Sequence, residues 1–150
     1  MKKKLFFVFA FLFAAAVTFA QKYPVQWTLN AVKISANTYK INITATIPSP
    51  WHLYSQNTPD GGPVPTKFTF SKNPLITLVG KPVEKGTLLV THDKNFGVDV
   101  KYYSNKVEFI QTAKVRGNVK TNLNGTVTFM VCNDRECLPP IDKAISVKLE

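Results

Sequence analysis

The sequence predicts an all-β fold, an immunoglobulin-like antiparallel β-sandwich, on three observations. Apolar and polar residues alternate with period two in one segment after another. Turn signals separate those segments at short intervals. Beyond the N-terminal stretch, no segment sustains the 3.6-residue apolar period of an amphipathic helix. Eight or nine short strands without helices fit two packed sheets, with a small closed barrel as the alternative. The 150 residues suffice for one domain and a tail but not for two cores. Apolar residues at 45% and charged residues at 19% describe a folding chain and exclude disorder, collagen and a polytopic membrane protein.

The first element is a leader. Lys2, Lys3 and Lys4 precede an apolar run from Leu5 to Val17 that ends in Thr18-Phe19-Ala20, the pattern of a secretory signal peptide over residues 1–20. The run falls short of the roughly 20 residues that a membrane-spanning helix needs. No cysteine stands at the expected cleavage point after Ala20, which argues against a lipid anchor. The expected mature domain is residues 21–150, with no stable membrane insertion. Three of the 19 basic residues lie in the leader, leaving 16 basic against 9 acidic and a net charge of +7. Those lysines are scattered from Lys22 to Lys148 without a dense block, so a solvated basic surface is expected rather than a nucleic-acid site.

The strands follow in order. Val25-Gln26-Trp27-Thr28-Leu29 alternates, and Tyr39, Ile41, Ile43, Ala45 and Ile47 alternate with Lys40, Asn42, Thr44 and Thr46 to give a strand with one wet face. Further strands are expected at Lys67–Phe70, Leu75–Val79, Thr87–Thr91, Val98–Tyr103, Lys106–Val115, Thr126–Val131 and Ala144–Leu149. Turns are expected at Ser35-Ala36-Asn37, Asp60-Gly61-Gly62-Pro63, Asn73-Pro74, Ser104-Asn105 and Asn124-Gly125. The longest stretch without a strand signal, Pro48–Thr66, holds Trp51, His52, Tyr54 and a run of prolines. Loops of that length either carry function or pack over a sandwich.

The chemistry concentrates in Val131-Cys132-Asn133-Asp134-Arg135-Glu136-Cys137-Leu138-Pro139-Pro140. Two cysteines this close in an exported chain are expected to be oxidised. As a staple the bond is poorly placed, since closing so short a ring contributes about 2 kcal/mol on the chain-entropy model and cannot join two sheets. A short constrained ring is also the kind that exchanges. Arg135 favours a thiolate, while Asp134 and Glu136 oppose it. The segment alone therefore leaves a reactive and a structural disulfide both open. Zinc has four formal donors in Cys132, Cys137, His52 and His92, but the histidines lack motif spacing. A blue-copper site lacks the histidine and methionine expected after Cys137. No metal and no other cofactor is expected.

The segment Cys132-Asn133-Asp134-Arg135-Glu136-Cys137-Leu138-Pro139-Pro140 resembles the active-site segment of the N-terminal periplasmic domain of the thiol:disulfide interchange protein DsbD. Trp51-His52-Leu53-Tyr54-Ser55 is similar to the stretch that supplies side chains beside that cysteine pair. Asp93-Lys94-Asn95-Phe96-Gly97 is similar to the cap loop whose aromatic residue shields the disulfide. The resemblance implies the immunoglobulin-like fold, a periplasmic location and a redox shuttle. Its donor and acceptors would be thioredoxin-fold periplasmic proteins, and a separately encoded membrane electron transporter would supply the electrons. It implies that Cys137 forms the mixed disulfide and Cys132 resolves it, with Phe96 as the lid and Tyr54 and Asp93 tuning cysteine protonation. His52 stands where relatives carry an aromatic residue. A secreted binding module with a purely structural disulfide is the competing expectation.

Overall fold

In a computed structural model, residues 23–94, 96–117 and 119–150 are described, and the segment expected to be a signal peptide, residues 1–20, lies outside them. Ten strands form two sheets: β1 (Gln26–Ser35), β2 (Thr38–Ile47), β3 (His52–Tyr54), β4 (Lys67–Phe70), β5 (Ile76–Lys85), β6 (Leu89–Asp93), β7 (Val98–Tyr103), β8 (Asn105–Val115), β9 (Thr121–Cys132) and β10 (Cys137–Leu149). One sheet runs β1-β2-β8-β5; the other runs β10-β9-β3-β7-β6, with β4 also paired to β9. Every pairing is antiparallel. The two sheets are open and packed as a sandwich, so the barrel alternative falls away.

The core follows from the alternation. Tyr39, Ile43 and Ala45 of β2 are buried opposite Ala113, Phe109 and Val107 of β8, and Ile41, Ile47 and Val115 are buried in the same layer. Leu123, Val127, Phe129 and Val131 of β9, with Ile145, Val147 and Leu149 of β10, supply the facing layer. Each buried Val, Leu, Ile or Phe among them contributes about 1.5–3 kcal/mol on leaving water. Trp27 completes the layer, its ring 5.1 Å from Phe129 and 5.9 Å from Phe109.

Four expectations need correction. Asn124-Gly125 is not a turn but the middle of β9, where Gly125 opposes both Phe70 and Ile145. A Cβ there would lie 2.7 Å from the Thr69 carbonyl oxygen, so the glycine marks a close crossing of strands rather than a reversal. The Pro48–Thr66 stretch contains β3, too short to show a period. β5 continues past Val79 through an irregularity between Val79 and Val83, where Gly80 adopts a positive φ of 66°. The buried Gln111 amide donates to the Val79 and Gly80 carbonyls that the ladder releases there. Finally, β10 begins at Cys137, and Pro139-Pro140 sit inside it at a bulge between Leu138 and Ile141. β10 is the edge of its sheet, where prolines lacking an N–H are tolerated, and the Tyr23 hydroxyl donates to the Pro139 carbonyl at 3.0 Å.

A disulfide cleft on the outer face of the second sheet

Side chains alternate across a strand, so neighbours of the core residues point away from the sandwich. Leu53, Tyr103 and Val131 face the core; Tyr54, Tyr102 and Cys132 therefore face outward. Tyr54, Val100 and Cys132 nonetheless bury themselves in a second, smaller apolar cluster with Val98, Tyr102 and Met130. The proline-rich segment after β3 anchors here, through Ser55 N donating to the Lys101 carbonyl and the Thr58 hydroxyl donating to the same oxygen. The Thr66 hydroxyl donates to the Tyr54 carbonyl at 2.6 Å, and Gly62 passes close enough that a Cβ would meet Val98 at 3.1 Å.

Cys132 closes β9, Cys137 opens β10, and the two are direct partners across the ladder. They form a disulfide with their Cα atoms 4.0 Å apart. The intervening turn is held by Asn133, whose N–H donates to the Glu136 carbonyl and whose Oδ1 accepts from the N–H groups of Arg135 and Glu136. The two halves of the bridge differ sharply in environment: Cys132 is 2% exposed, while Cys137 stands exposed at the sheet edge.

A cleft of about 350 Å³ opens over the bridge, lined by both cysteines, His52, Tyr54, Asp93 and Phe96 among others. Six of the nine residues singled out in the sequence thus meet at one place, from segments about forty residues apart. Lys94 and Gly97 belong to the same hairpin loop but do not line the cleft, and Asn95 lies outside the described residues. The loop is built locally: Gly97 has a φ of 69°, its N–H donates to the Asp93 carbonyl at 2.7 Å, and the Phe96 N–H donates to Asp93 Oδ1. Phe96 remains 38% exposed at the rim.

His52 pairs with Cys132 across the β3–β9 ladder. Its Nε2 lies 3.1 Å from the Tyr54 hydroxyl, and its ring packs against Tyr102 at 4.8 Å. Burial lowers the His52 pKa, partly opposed by the negative charges of Asp134 and Asp93. Burial, then the neighbouring Asp93 and Tyr102, push the Tyr54 phenol up to about 12. Asn133 and Asp134 of the cysteine segment also line the cleft, and Tyr102, Val100 and Thr91, which were not singled out in the sequence, complete it. Their signal was the outward phase of strands already recognised, which carries no information until the neighbouring strand is known. His92 is elsewhere, bonded to Asp99 at 2.9 Å on an exposed stretch of the β6–β7 hairpin. Among the described residues, no three His, Cys, Asp or Glu side chains group as a metal site.

A two-sheet sandwich whose one disulfide spans adjacent strand ends, half buried and half exposed beneath a hairpin loop, defines the class: an immunoglobulin-like domain built around a single disulfide. The chain belongs to the family described as thiol:disulfide interchange protein DsbD, N-terminal, whose model matches residues 19–149. Its fold is similar to the N-terminal periplasmic domain of ScsB from Proteus mirabilis (TM-score 0.55, 21% identity, 81% of this chain), although this chain spans only 44% of that one. It is also similar to the DsbD N-terminal domain of Neisseria meningitidis in the reduced form (TM-score 0.54, 16% identity, 80% of this chain and 82% of that chain). A third similar structure is the same organism's DsbD N-terminal domain in complex with the PilB N-terminal domain (TM-score 0.51, 16% identity, 81% and 80% covered). No curated protein sequence matches the chain significantly.

Proposed function

We propose that the chain is a periplasmic thiol–disulfide exchange module. It passes electrons from a reduced thioredoxin-fold donor to oxidised periplasmic partners through Cys132 and Cys137. The observation that carries this reading is the unequal burial of the bridge: both cysteines line the cleft, but Cys132 is buried in an apolar cluster while Cys137 is exposed. Exchange needs approach to one sulfur, and which sulfur is open decides which forms the mixed disulfide.

The donor thiolate attacks Cys137 Sγ, forming a mixed disulfide while Cys132 leaves as a thiolate and takes up a proton. A second donor thiol then displaces Cys137, leaving this domain as a dithiol and the donor oxidised by two electrons. In the forward half, the Cys137 thiolate attacks an acceptor disulfide. Cys132 then attacks Cys137 Sγ, restoring the intramolecular bridge and releasing the reduced acceptor. Phe96 at the rim acts as the lid between encounters, and the hairpin of Asp93–Gly97 gives it a loop on which to swing. A membrane transporter encoded separately replenishes the donor, and cleavage of the signal after about Ala20 frees the domain in the periplasm. The family membership, a relative in a reduced form and a relative in complex with another protein's domain support this assignment.

The decisive test is a Cys132→Ala variant mixed with an oxidised thioredoxin-fold protein: it should hold a stable mixed disulfide through Cys137, and Cys137→Ala should hold none. A bridge with a reduction potential below about −300 mV and no trapped species would mark it as structural and end the proposal.

A further inference from the structure

We propose that His52 is the proton acceptor that converts the buried Cys132 thiol into the thiolate that breaks the mixed disulfide. The inference rests on the exchange reading above and names the device that lets its last step run.

That step is chemically awkward where Cys132 sits. With Cys137 bound to a partner, Cys132 is a thiol in an apolar cluster with Tyr54 and Val100, at a residue 2% exposed. Burial disfavours the thiolate, so water is a poor acceptor for its proton. The residue directly opposite Cys132 on β3 is His52. Directly opposed residues of an antiparallel pair place their Cβ atoms about 4.5–5.5 Å apart on one face, within side-chain reach. Both residues line the same cleft.

The imidazole is held rather than free. Its Nε2 is bonded to the Tyr54 hydroxyl at 3.1 Å, and its ring stands at 87° to the Tyr54 ring and packs on Tyr102. In the tautomer whose Nε2–H donates to the Tyr54 hydroxyl, Nδ1 keeps its lone pair for the sulfur proton. The titratable and charged groups facing His52 are Tyr54 on its own strand, Tyr102 on β7, Asp93 on β6, Asp134 in the β9–β10 turn and Cys132 on β9. Burial outweighs the two carboxylates and keeps the ring neutral at pH 7, the state that can accept. Once it has accepted, Asp93 and Asp134 stabilise the imidazolium. The balance is complete: the Cys132 proton goes to His52, the Cys132 sulfur bonds to Cys137 Sγ, the Cys137–partner bond breaks, and the partner leaves as a thiolate.

The test uses the reduced full-length mature protein and glutathione disulfide as a probe of the smallest partner. Rapid-quench sampling separates the first attack by Cys137 from the release of glutathione by Cys132. In the wild type, the release rate should rise with pH through the region below 6.5 and then level off. His52→Gln, and His52→Tyr as a second variant that keeps an aromatic ring, should release glutathione at least about tenfold more slowly at pH 7. Their rates should instead keep climbing with pH past the ordinary thiol value of about 8.5, as burial of an unassisted Cys132 requires. The first attack by Cys137 should change by no more than about twofold, which a misfolded variant would not satisfy. Unchanged release rates and pH profiles in either folded variant overturn the role of His52 while leaving the exchange reading standing. A wild-type protein that forms no mixed disulfide at Cys137 sinks the exchange reading itself.

Discussion

Replacing Glu84 with alanine should destabilise the sandwich by about 3–5 kcal/mol. Glu84 lies on β5, the edge of the first sheet, yet its carboxylate is bonded to groups of the second. Oε2 accepts from the Ser55 hydroxyl at 2.7 Å and the Tyr103 hydroxyl at 2.9 Å, and Oε1 accepts from the Gln56 N–H at 2.6 Å. A fourth bond from the Asn57 amide is exposed and contributes little. Ser55 is 0% exposed and Tyr103 is 3% exposed, so truncation strands donors with little access to solvent. Each stranded donor costs about 1–3 kcal/mol, and the half-buried carboxylate recovers part of that through its own relief from desolvation. The total is a large fraction of the 5–15 kcal/mol typical of a domain. Urea unfolding followed by the fluorescence of Trp27 and Trp51 measures it. Glu84→Gln, which keeps acceptor oxygen but not the charge, should lose about half as much. A double-mutant cycle with Tyr103→Phe should return a coupling of about 1–2 kcal/mol. A Glu84→Ala cost below about 1 kcal/mol, or no coupling to Tyr103, would refute the reasoning that this carboxylate ties the sheets together.

Three further outcomes are expected. Gly125→Ala should cost about 1–3 kcal/mol in urea unfolding, because its Cβ would fall 2.7 Å from the Thr69 carbonyl oxygen and push β4 off β9; an unchanged midpoint would show that β4 moves freely. Phe96→Ala should leave stability within about 0.5 kcal/mol, since the ring is 38% exposed. It should, however, speed reduction of the Cys132–Cys137 bridge by dithiothreitol several-fold, and equal rates would remove the lid. Alkaline pH should weaken the fold through Tyr54. Burial pushes the folded Tyr54 phenol up to about 12, above the ordinary tyrosine value of about 10. Its contribution is thus complete below pH 10 and is lost as pH rises from 10 toward 12. Wild type should therefore lose more stability over that interval than Tyr54→Phe, on the order of 2 kcal/mol; parallel curves would dismiss the effect.

The strands of this chain were legible because a strand with one buried face writes its own period into the sequence. Ile41, Ile43 and Ala45 alternate with polar residues, and the same residues are buried. The cysteine hairpin was legible for a similar reason: four polar residues between two cysteines can only return the chain on itself. Local pattern failed where a residue's role depends on a distant neighbour. Gly125 reads as a turn until β4 is known to cross it, and Pro139-Pro140 read as an exit until β10 is known to be an edge. β3 has three residues, too few to show a period, yet it is the strand that sets His52 opposite Cys132. Alternation assigns a residue to one of two faces but cannot say what covers the outer one. Only the pairing of β9 with β3, and of β3 with β7, decided that Cys132 is sealed while Cys137 is open. Those pairings bring together residues roughly eighty positions apart in the first case and roughly fifty in the second, and the packing that selects them is a property of the whole sandwich rather than of any segment.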